Sequence, residues 1–391
     1  MVGAGPAGSA AALSLARAGV DVVLVDQHAF PRDKVCGDGL IPDAHRALQD
    51  LGVLGEVMAL AQPVSHLRCV APRGGYVDVP GTLAVLPRRA LDLVLAQAAA
   101  AAGARMFAPL RFMEPLRDAA GAVIGARLQG GDEKRDIAAR WVVLASGAVP
   151  QALIATGACS RRSPSAIALR GYVKNDAMVG RITALEVLWH RRLGGGYGWI
   201  FPCRDGLFNI GVGRAQGPLD THDANLRQVF TAFTDLYAPA RELLAGGRMI
   251  GELKGAPLRC SLAGAAYSQA GLLVAGEAAG TTYALTGEGI GKALETGILA
   301  AEALQAGLQR GLDDAAVRRC YEGALDALRP RFAVYDKANV VNEHPWLVDL
   351  LVWSARRHPR RLQRMSGVLE ETHLPGNLMT ARSLTRLVFG R

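Results

Sequence analysis

The sequence predicts an α/β fold, in which a βαβ domain is interrupted by a mostly antiparallel β-sheet and followed by a helical C-terminal region. Three observations support this prediction. A GxGxxG segment opens the chain and an acidic residue ends the strand after it, and a second strand-to-helix glycine segment follows at residues 271–304. Between the two lies GYGWIFP, a strand-like segment with aromatic residues at period two.

The N-terminal segment VGAGPAGSAAALSLARAGVDVVLVDQ carries a dinucleotide-binding fingerprint. Gly3 permits a tight turn, Gly5 lets backbone approach a pyrophosphate, and Gly8 lets helix and strand pack closely. Asp26 ends the next strand at roughly the 20-residue separation expected of an acid that accepts hydrogen bonds from ribose hydroxyls. The segment therefore predicts a Rossmann-like domain, although only two residues precede the first glycine, where a full strand is expected.

A second loop, FPRDKVCGDGL, places one cysteine among glycines and basic residues. Gly37 and Gly39 allow the backbone beside Cys36 to come close to a flat ligand. Arg32 and Lys34 are expected to lower the pKa of the Cys36 thiol. The alternative is a surface loop with a passive cysteine.

A third segment, GLLVAGEAAGTTYALTGEGIGKALETGILAAEAL, predicts a second strand-to-helix site. An apolar strand runs into Gly276, and residues 287–290 open a long helix. Main-chain N–H groups at that helix start are suited to bind a ring carbonyl and stabilise negative charge. The segment is not a phosphate-binding P-loop, because Ala293 follows the lysine where such loops have Ser or Thr.

Together, VGAGPAG and FPRDKVCGDGL resemble the geranylgeranyl reductase family of FAD enzymes, whose fold is that of the p-hydroxybenzoate hydroxylase (GR2) group. LPRRALDLVLAQAAAAAGA is similar to the group's R-x-x-L-D helix, which assigns a cofactor contact to Arg88, with Arg89 as the alternative register. The segment at 271–304 is similar to the family's GD-A-A-G…GEGI motif, with Glu277 in place of Asp and Ala284 in place of Pro.

The resemblance implies FAD as the bound cofactor, and NAD(P)H or reduced ferredoxin as a transient electron donor without a domain of its own. The implied cofactor-binding residues come from the three loops and the R-x-x-L-D helix. They are Gly3, Gly5, Pro6, Ala7, Gly8, Asp26, Gln27, Lys34, Cys36, Gly37, Gly39, Arg88, Gly276, Glu277, Gly287, Gly289 and Ile290.

The aromatic segment GGGYGWIFPCRDGLFNIGVG is similar to the family's Y-x-W-x-F-P…G…N-x-G-x-G strand. Tyr197, Trp199 and Phe201 lie at i, i+2 and i+4, so their rings share one face of the strand. The resemblance implies that this face lines an isoprenoid-binding pocket next to the flavin, and aromatic rings offer large apolar area for such a chain. The alternative is that Trp199 and above all Phe201 are ordinary residues of the sheet core.

The implied activity is reduction of C=C bonds in a geranylgeranyl or other isoprenoid chain, by hydride transfer from reduced flavin N5, as in lipid biosynthesis. Cys36 and Tyr197 are the candidate proton donors by residue type, and Trp199 is placed beside them in the catalytic site. The first alternative is a flavin-dependent monooxygenase of an apolar or aromatic substrate. An electron-transfer flavoprotein and a degenerate FAD-binding protein are the others. A halogenase is disfavoured, because YGWIFP departs from the W-x-W-x-I-P of that class.

The expected domain organisation is discontinuous. Segments 1–60, 80–150 and 255–305 build the FAD-binding domain, and residues 160–254, with 61–79, build the antiparallel substrate domain. Residues 306–391 form the C-terminal region, expected to be helical until Pro330 and Pro345 and then basic and irregular.

Composition narrows the class of protein. The net charge is +9, and an arginine-rich segment at 356–364 makes peripheral membrane contact a reasonable expectation. No nucleic-acid-binding motif accompanies the basic residues, so no nucleic acid partner is predicted. The six cysteines have no metal-ligand spacing, so no metal site is predicted. Without a leader or an apolar run of membrane-spanning length, the cytoplasm is the expected location.

Overall fold

The computed structural model describes residues 1–159, 163–215 and 225–375. Its helices are α1 (Pro6–Arg17), α2 (Pro42–Asp50), α3 (Leu54–Leu60), α4 (Arg88–Ala101), α5 (Gln151–Thr156), α6 (Leu226–Leu236), α7 (Ala238–Ala245), α8 (Ile290–Arg310), α9 (Asp314–Ala338), α10 (Val340–Glu343), α11 (Trp346–Arg357) and α12 (Pro359–Leu369). Its strands are β1 (Val23–Val25), β2 (Gly39–Leu40), β3 (Gln62–Val70), β4 (Tyr76–Val85), β5 (Arg105–Phe107), β6 (Arg111–Arg117), β7 (Val123–Gly130), β8 (Glu133–Ala138), β9 (Val142–Leu144), β10 (Ala166–Lys174), β11 (Leu185–Trp189), β12 (Gly196–Pro202), β13 (Leu207–Ala215), β14 (Arg248–Leu258), β15 (Ser268–Gln269) and β16 (Leu272–Val274). The predicted α/β class is confirmed.

The nucleotide-binding half is a parallel arrangement around the short N-terminal segment. β1 pairs in parallel with β5, and β16 pairs in parallel with β9. Val2 bridges Val25 on one side and Leu144 on the other, so the two residues before the first glycine serve as a minimal central strand. α1 and α8 pack closely on this sheet, because a Cβ at Gly297 would lie 2.2 Å from the Ala7 carbonyl oxygen. The antiparallel sheet β6-β7-β8 lies at its edge.

The second half is an eight-stranded sheet in the order β14-β10-β13-β12-β11-β3-β4-β2. Its pairings are antiparallel except for the parallel pair β11 and β3, as the prediction of a mostly antiparallel sheet requires. The aromatic strand is β12, flanked by β11 and β13. The division of the chain into 1–60, 80–150, 255–305, 160–254 and 61–79 stays a prediction about domains.

β12 has two different faces. Ile200 belongs to a buried cluster with Phe230 and Phe233 of α6, so this side of the sheet is packed core. Gly198 lies directly under the Phe233 ring, whose nearest atom would be 2.3 Å from a Cβ added at Gly198. Glycine at this position therefore lets α6 rest on the sheet, while the aromatic residues of β12 point to the opposite face.

We expect Gly198→Ala to destabilise the protein by about 1–3 kcal/mol, because the added methyl group overlaps the Phe233 ring in a packed core. Urea-induced unfolding followed by circular dichroism measures the change. Gly213→Ala, on the neighbouring β13, is the matched control, since its Cβ would meet nothing closer than 3.7 Å. A Gly198→Ala variant as stable as Gly213→Ala would contradict the packing described for α6.

The C-terminal region is more helical than its prolines suggested. α9 continues through Pro330, and the chain after Pro345 forms α11 and α12 rather than irregular structure, so that expectation is wrong. Pro345 is the N-cap of α11 and Pro359 begins α12, where a missing N–H leaves no hydrogen bond unmade. Pro330 lies inside α9, two positions before the buried Phe332. No helix in 1–159, 163–215 or 225–375 is both long and apolar enough to cross a bilayer.

Candidate active site

A cavity of about 810 Å³ lies between the nucleotide-binding half and the aromatic face of the eight-stranded sheet. It is lined by residues from the three predicted loops, from α4 and from β12. All the predicted site residues line it except Gly8, which is packed against the Gly3 carbonyl oxygen at 1.8 Å from where a Cβ would lie. The structure thus brings the predicted residues to one place, and their individual roles stay predictions.

The glycine-rich turn at the start of α1 forms one end of the cavity. Gly3 has φ +100°, a conformation that glycine adopts without strain. Gly5 is the N-cap and no side chain caps the helix, so first-turn N–H groups are available to an anion. A Cβ at Gly5 would lie 3.6 Å from Arg32 and 3.7 Å from Arg88, so two guanidinium groups face the same point. These features fit the pyrophosphate of a dinucleotide.

Asp26 lies at the end of β1, beside this turn. Its carboxylate accepts a hydrogen bond from the Ala4 N–H at 2.9 Å and pairs with Arg32 at 3.2 Å. The carboxylate therefore ties the glycine-rich turn to the second loop while it lines the cavity. This placement fits the predicted contact with a ribose.

Arg88 and Asp92 form a buried pair on the first turns of α4. The guanidinium donates to both carboxylate oxygens of Asp92, at 2.7 and 2.9 Å, and Arg32 pairs with the same carboxylate at 2.9 Å. Arg88 lines the cavity, whereas Arg89 is exposed, so Arg88 is the one of the two that is placed to contact a ligand there, and its role stays a prediction. Asp92 was not predicted as a site residue, although it is the acid of the R-x-x-L-D pattern. It positions two cations at the pyrophosphate end.

The third loop closes the cavity from the other side. Gly289 is the N-cap of α8 and carries no capping side chain, and the Gly291 N–H of the first turn donates to the Glu288 carboxylate at 2.8 Å, which leaves the main chain around Gly289 and Ile290 to face a ligand. Glu277 accepts a hydrogen bond from the Thr282 hydroxyl at 3.3 Å and lies 3.9 Å from the Lys34 ammonium group. The second and third loops therefore meet across the cavity through a pair of opposite charges.

Burial raises the pKa of the Cys36 thiol, so the expected net lowering is wrong, although the Lys34 cation acts in the expected direction. Desolvation of a thiolate outweighs the attraction of the Arg88 and Lys34 cations. Lys34 is also engaged elsewhere, since its ammonium group donates to the Val35 carbonyl oxygen at 3.2 Å. Cys36 is consequently protonated at neutral pH and is suited to donate a proton rather than to act as a nucleophile.

The sheet domain holds the cysteine loop through Arg170, which sequence reasoning missed. Its side chain is 2% exposed and donates to the Asp33 carboxylate and the Lys34 carbonyl at 2.9 Å, and to the Cys36 carbonyl at 3.3 Å. The local sequence AIALRGYVK reads as an apolar strand and contains no signal for this contact across more than 130 residues.

Asn209 joins the cysteine loop to the aromatic strand. Its amide N–H₂ group donates to the Cys36 carbonyl at 2.8 Å and to the Asp38 carboxylate at 2.7 Å. Its carbonyl oxygen accepts from the Trp199 indole N–H at 2.9 Å. Asn209 was quoted within the N-x-G-x-G pattern and was not recognised as a site residue. One buried amide therefore fixes both Trp199 and Cys36.

Asp38 is a fully buried acid with φ +65° at the end of this network. It accepts hydrogen bonds from Asn209 and from the Tyr172 hydroxyl, and its other oxygen accepts from the Arg88 backbone N–H. Burial raises the pKa of Asp38 to about 6, against the attraction of Arg170. The folded protein thus holds a proton on Asp38 more tightly than the unfolded chain does.

This proton linkage gives a pH dependence with a definite sign. Since the folded pKa of about 6 exceeds the unfolded value of about 3.9, the contribution of Asp38 to stability is full below roughly pH 4. It is lost as the pH rises through 6, to a total of about 3 kcal/mol. We expect Asp38→Asn to show a smaller fall in Tm between pH 4 and 7 than the parent protein, measured by calorimetry. Parallel Tm curves for the two proteins would refute the linkage.

The aromatic residues of β12 form a continuous row along the cavity. Ring centroids are 6.2 Å apart for Tyr197 and Trp199, and 6.4 Å apart for Trp199 and Phe201, and Trp189 of β11 extends the row at 5.8 Å. All four line the cavity, including Phe201, for which a core position was the alternative. Tyr197 donates to the Thr286 carbonyl oxygen at 2.5 Å, and burial raises the pKa of its hydroxyl. We name these four residues the aromatic wall.

Beyond the aromatic wall the cavity continues as an apolar arm between the sheet and the C-terminal helices. Its helical side is contributed by α10, α11 and α12. The residues are Val341, Val348, Leu351, Val352, Met365 and Leu369. These residues were not predicted as site residues, and all of them except Val341 follow Pro345, where the chain was expected to be irregular. The cavity thus has a polar, cation-lined end and a long apolar end.

Glu371, just after α12, links the helical side of the apolar arm to the nucleotide-binding half. Its carboxylate accepts from Lys292 at 2.9 Å, Arg331 at 3.2 Å and Arg46 at 3.2 Å, and from the Tyr283 hydroxyl at 3.0 Å. Four donors from four segments meet at one carboxylate. The C-terminal helices are therefore fixed over the apolar arm by charge as well as by packing.

Comparison with known proteins agrees with this geometry. A family model described as an FAD binding domain matches residues 1–167. The chain is 34% identical to the menaquinone reductase of Mycolicibacterium smegmatis, over 78% of this chain and 76% of that protein. It is 30% identical to digeranylgeranylglycerophospholipid reductase 2 of Methanopyrus kandleri, over 77% and 75% of the two chains. The crystal structure of a geranylgeranyl bacteriochlorophyll reductase-like protein from Thermoplasma acidophilum superposes with a TM-score of 0.79 at 20% identity, over 99% and 94% of the chains.

Proposed function

This chain belongs to the geranylgeranyl reductase family of FAD-dependent oxidoreductases, and we propose from this that it reduces C=C bonds in the isoprenoid chain of a lipid. The observation that carries the proposal is the shape of the cavity, whose dinucleotide-like end continues past the aromatic wall into an apolar arm. An isoprenoid chain offers only apolar surface, and such an arm can bury it favourably.

The residues present fit FAD. The N–H groups at the start of α1, with Arg88, would hold the pyrophosphate, Asp26 the ribose, and the main chain at 287–290 the flavin ring. The bound FAD supplies a hydride through its N5 atom, after reduction by a transient donor such as NAD(P)H or reduced ferredoxin. The aromatic wall orients the isoprenoid chain and excludes water from the reacting carbons.

We assign the proton donor to Cys36 rather than Tyr197. Both groups are protonated at neutral pH, because burial raises both pKa values. The Tyr197 hydroxyl already donates to the Thr286 carbonyl oxygen, whereas the Cys36 sulfur lies within the electrostatic reach of the Arg88 cation, which acts to lower the pKa of the thiol. This arrangement leaves the Cys36 S–H free to donate, and the cation stabilises the thiolate that forms.

We expect Cys36→Ala to lower the rate of alkene-dependent flavin reoxidation about 10²–10⁴-fold, since it deletes a positioned general acid. Stopped-flow absorbance under anaerobic conditions measures that rate, and the flavin content per protein is recorded in parallel. Cys320→Ala, at an exposed position of α9, is the control and should react like the parent. An unchanged rate in Cys36→Ala, with full flavin content, would return the assignment to Tyr197 or to water.

One anaerobic experiment tests the reaction class. The purified flavoprotein is reduced, freed of excess reductant and offered either menaquinone or a digeranylgeranyl glycerophospholipid without O₂. Reoxidation coupled to a product that is heavier by two hydrogens per reduced bond, and that keeps them after any quinol has been reoxidised in air, supports the proposal. Reoxidation only when O₂ is admitted, with a hydroxylated product, would establish the monooxygenase alternative. Absence of bound flavin would leave the degenerate FAD-binding protein.

We also place the protein at the surface of a membrane, on its cytoplasmic side. The relatives named for menaquinone and for a digeranylgeranyl glycerophospholipid point to substrates that reside in bilayers. We therefore propose that the protein reaches such a substrate from the bilayer surface.

A further inference from the structure

Helix α11 separates the apolar arm from the protein surface. Val348 and Val352 are buried and line the arm. On the outer side, Trp346 is 57% exposed and Trp353 is 45% exposed. The two tryptophans are seven positions apart, close to two helical turns, so they share one face of α11. Large exposed tryptophans on one helix face mark an interaction surface rather than random exposure.

Basic residues surround the two tryptophans. Arg356 and Arg357 at the end of α11, and Arg360 and Arg364 of α12, are exposed. The Arg357 guanidinium lies 4.4 Å over the Trp353 ring, so the cation and the ring act at one spot. We name Trp346, Trp353, Arg356, Arg357, Arg360 and Arg364 the docking face.

The turn between β3 and β4 adds one more basic residue beside α11. Tyr76 and Arg68 of this hairpin do not belong to the docking face, because Cys69 and Val77, which alternate with them, pack against Val348 and Val352 of α11. Arg73 is exposed, and its backbone N–H donates to the Asp349 carboxylate of α11 at 3.1 Å. Asp349 is half-buried and thereby engaged within the protein, and Glu343 of α10 is the exposed acid on α10, α11 and α12. The surface is aromatic and predominantly positive.

We propose that the docking face binds an anionic lipid bilayer and sets the apolar arm against it. Tryptophan favours the interface between headgroups and acyl chains, and arginine is attracted to anionic lipids. The same helix that presents Trp353 outward presents Val352 to the arm, so the lipid surface and the substrate cavity lie on opposite sides of α11. This inference rests on the proposed function, because contact with a bilayer is needed when the substrate is a lipid that resides there.

Two double variants, one on the docking face and one control, test the docking face by co-sedimentation with vesicles. The vesicles contain phosphatidylcholine alone, or phosphatidylcholine with phosphatidylglycerol. Arg356→Glu/Arg357→Glu is compared with Arg135→Glu/Arg140→Glu, which makes the same change in charge near β8, at exposed positions of another sheet. We expect the docking-face double variant to bind anionic vesicles at least tenfold more weakly than the parent, since each arginine near an anionic leaflet accounts for about fivefold in affinity. The affinity of the control double variant should stay within about twofold of the parent's, since its substitutions lie far from the proposed contact.

Trp346→Ser/Trp353→Ser separates insertion from charge attraction. This double variant should bind both kinds of vesicle about tenfold or more weakly than the parent. Binding of the parent should persist in part at high salt, because salt screens the arginines but not the inserted tryptophans. Anionic-vesicle binding that is unchanged in both docking-face variants would overturn the inference. The inference would also be overturned if the parent did not bind vesicles and instead formed a dimer that these substitutions dissociate. The docking face would then bind a second copy of the chain.

A detergent-dispersed short isoprenoid substrate distinguishes failure of this inference from failure of the proposed function. The docking-face variants should reduce it at the parent's rate, since none of the altered residues lines the cavity. A parent that binds vesicles through the docking face but reduces no isoprenoid would refute the proposed function alone. A parent that reduces the dispersed substrate but binds no vesicle would refute the docking face alone.

Discussion

Arg88→Ala is expected to purify without FAD and to be less stable by about 1–3 kcal/mol. The guanidinium is buried, and its removal leaves the fully buried Asp92 carboxylate with Arg32 as its partner in an ion pair. Because Arg32 still compensates the Asp92 charge, the cost is that of the lost hydrogen bonds to a charged group and not that of an unpaired buried charge. The substitution also removes one of two cations beside Gly5, where the pyrophosphate is predicted to bind.

The neighbouring residue provides the control for Arg88→Ala. Arg89 lies on the same helix turn but is exposed, so Arg89→Ala should keep full flavin content and parental stability. Arg88→Lys should give an intermediate result, because lysine keeps the charge but cannot donate bidentately to Asp92. Flavin absorbance per protein after desalting and the urea unfolding of the apoprotein measure the two effects separately. Stoichiometric flavin in Arg88→Ala would contradict the assigned role.

Trp199→Ala is expected to raise the KM for an isoprenoid substrate about 10–100-fold, with flavin content retained. The indole lines the cavity at the centre of the aromatic wall, and a contact of this size contributes about 1.5–3 kcal/mol when an apolar chain buries it. The substitution also deprives the Asn209 carbonyl oxygen of its indole donor and so loosens the link to the cysteine loop. A smaller fall in kcat should accompany the change in KM.

Two further substitutions sharpen the test of Trp199. Trp199→Phe keeps most of the apolar surface but removes the indole N–H, so it should recover KM more than kcat. Trp353→Ala alters a tryptophan outside the cavity and should leave both constants unchanged with a detergent-dispersed substrate. Steady-state kinetics over a range of isoprenoid lengths provides the measurement. Loss of flavin from Trp199→Ala would instead identify the residue as core.

The glycine motifs could be located from sequence because the backbone itself requires them. A Cβ at Gly3 would lie 2.3 Å from the Ala145 carbonyl oxygen, and no other residue type fits there without movement. Such constraints act within a short segment, so they leave a local pattern. The row formed by Tyr197, Trp199 and Phe201 was equally visible, since the period of a strand is two.

The missed features depend on contacts between distant segments. Arg170 and Asn209 donate to the Cys36 carbonyl oxygen across 134 and 173 residues, and the sequence around either residue does not predict this contact. The direction of the Cys36 pKa shift was wrong for a related reason. Neighbouring charges can be read from the chain, whereas the burial that outweighs them depends on the whole fold.

The Gly198–Phe233 contact has a consequence for substrate choice. The sheet is a single layer here, with the α6 core on one side and the aromatic wall on the other. A change in bulk behind the strand therefore shifts the rings in front of it, without altering any atom that touches the substrate. Paired substitutions, such as Gly198→Ala with Phe233→Leu, offer a way to engineer which isoprenoid lengths fit, from a position the ligand never meets.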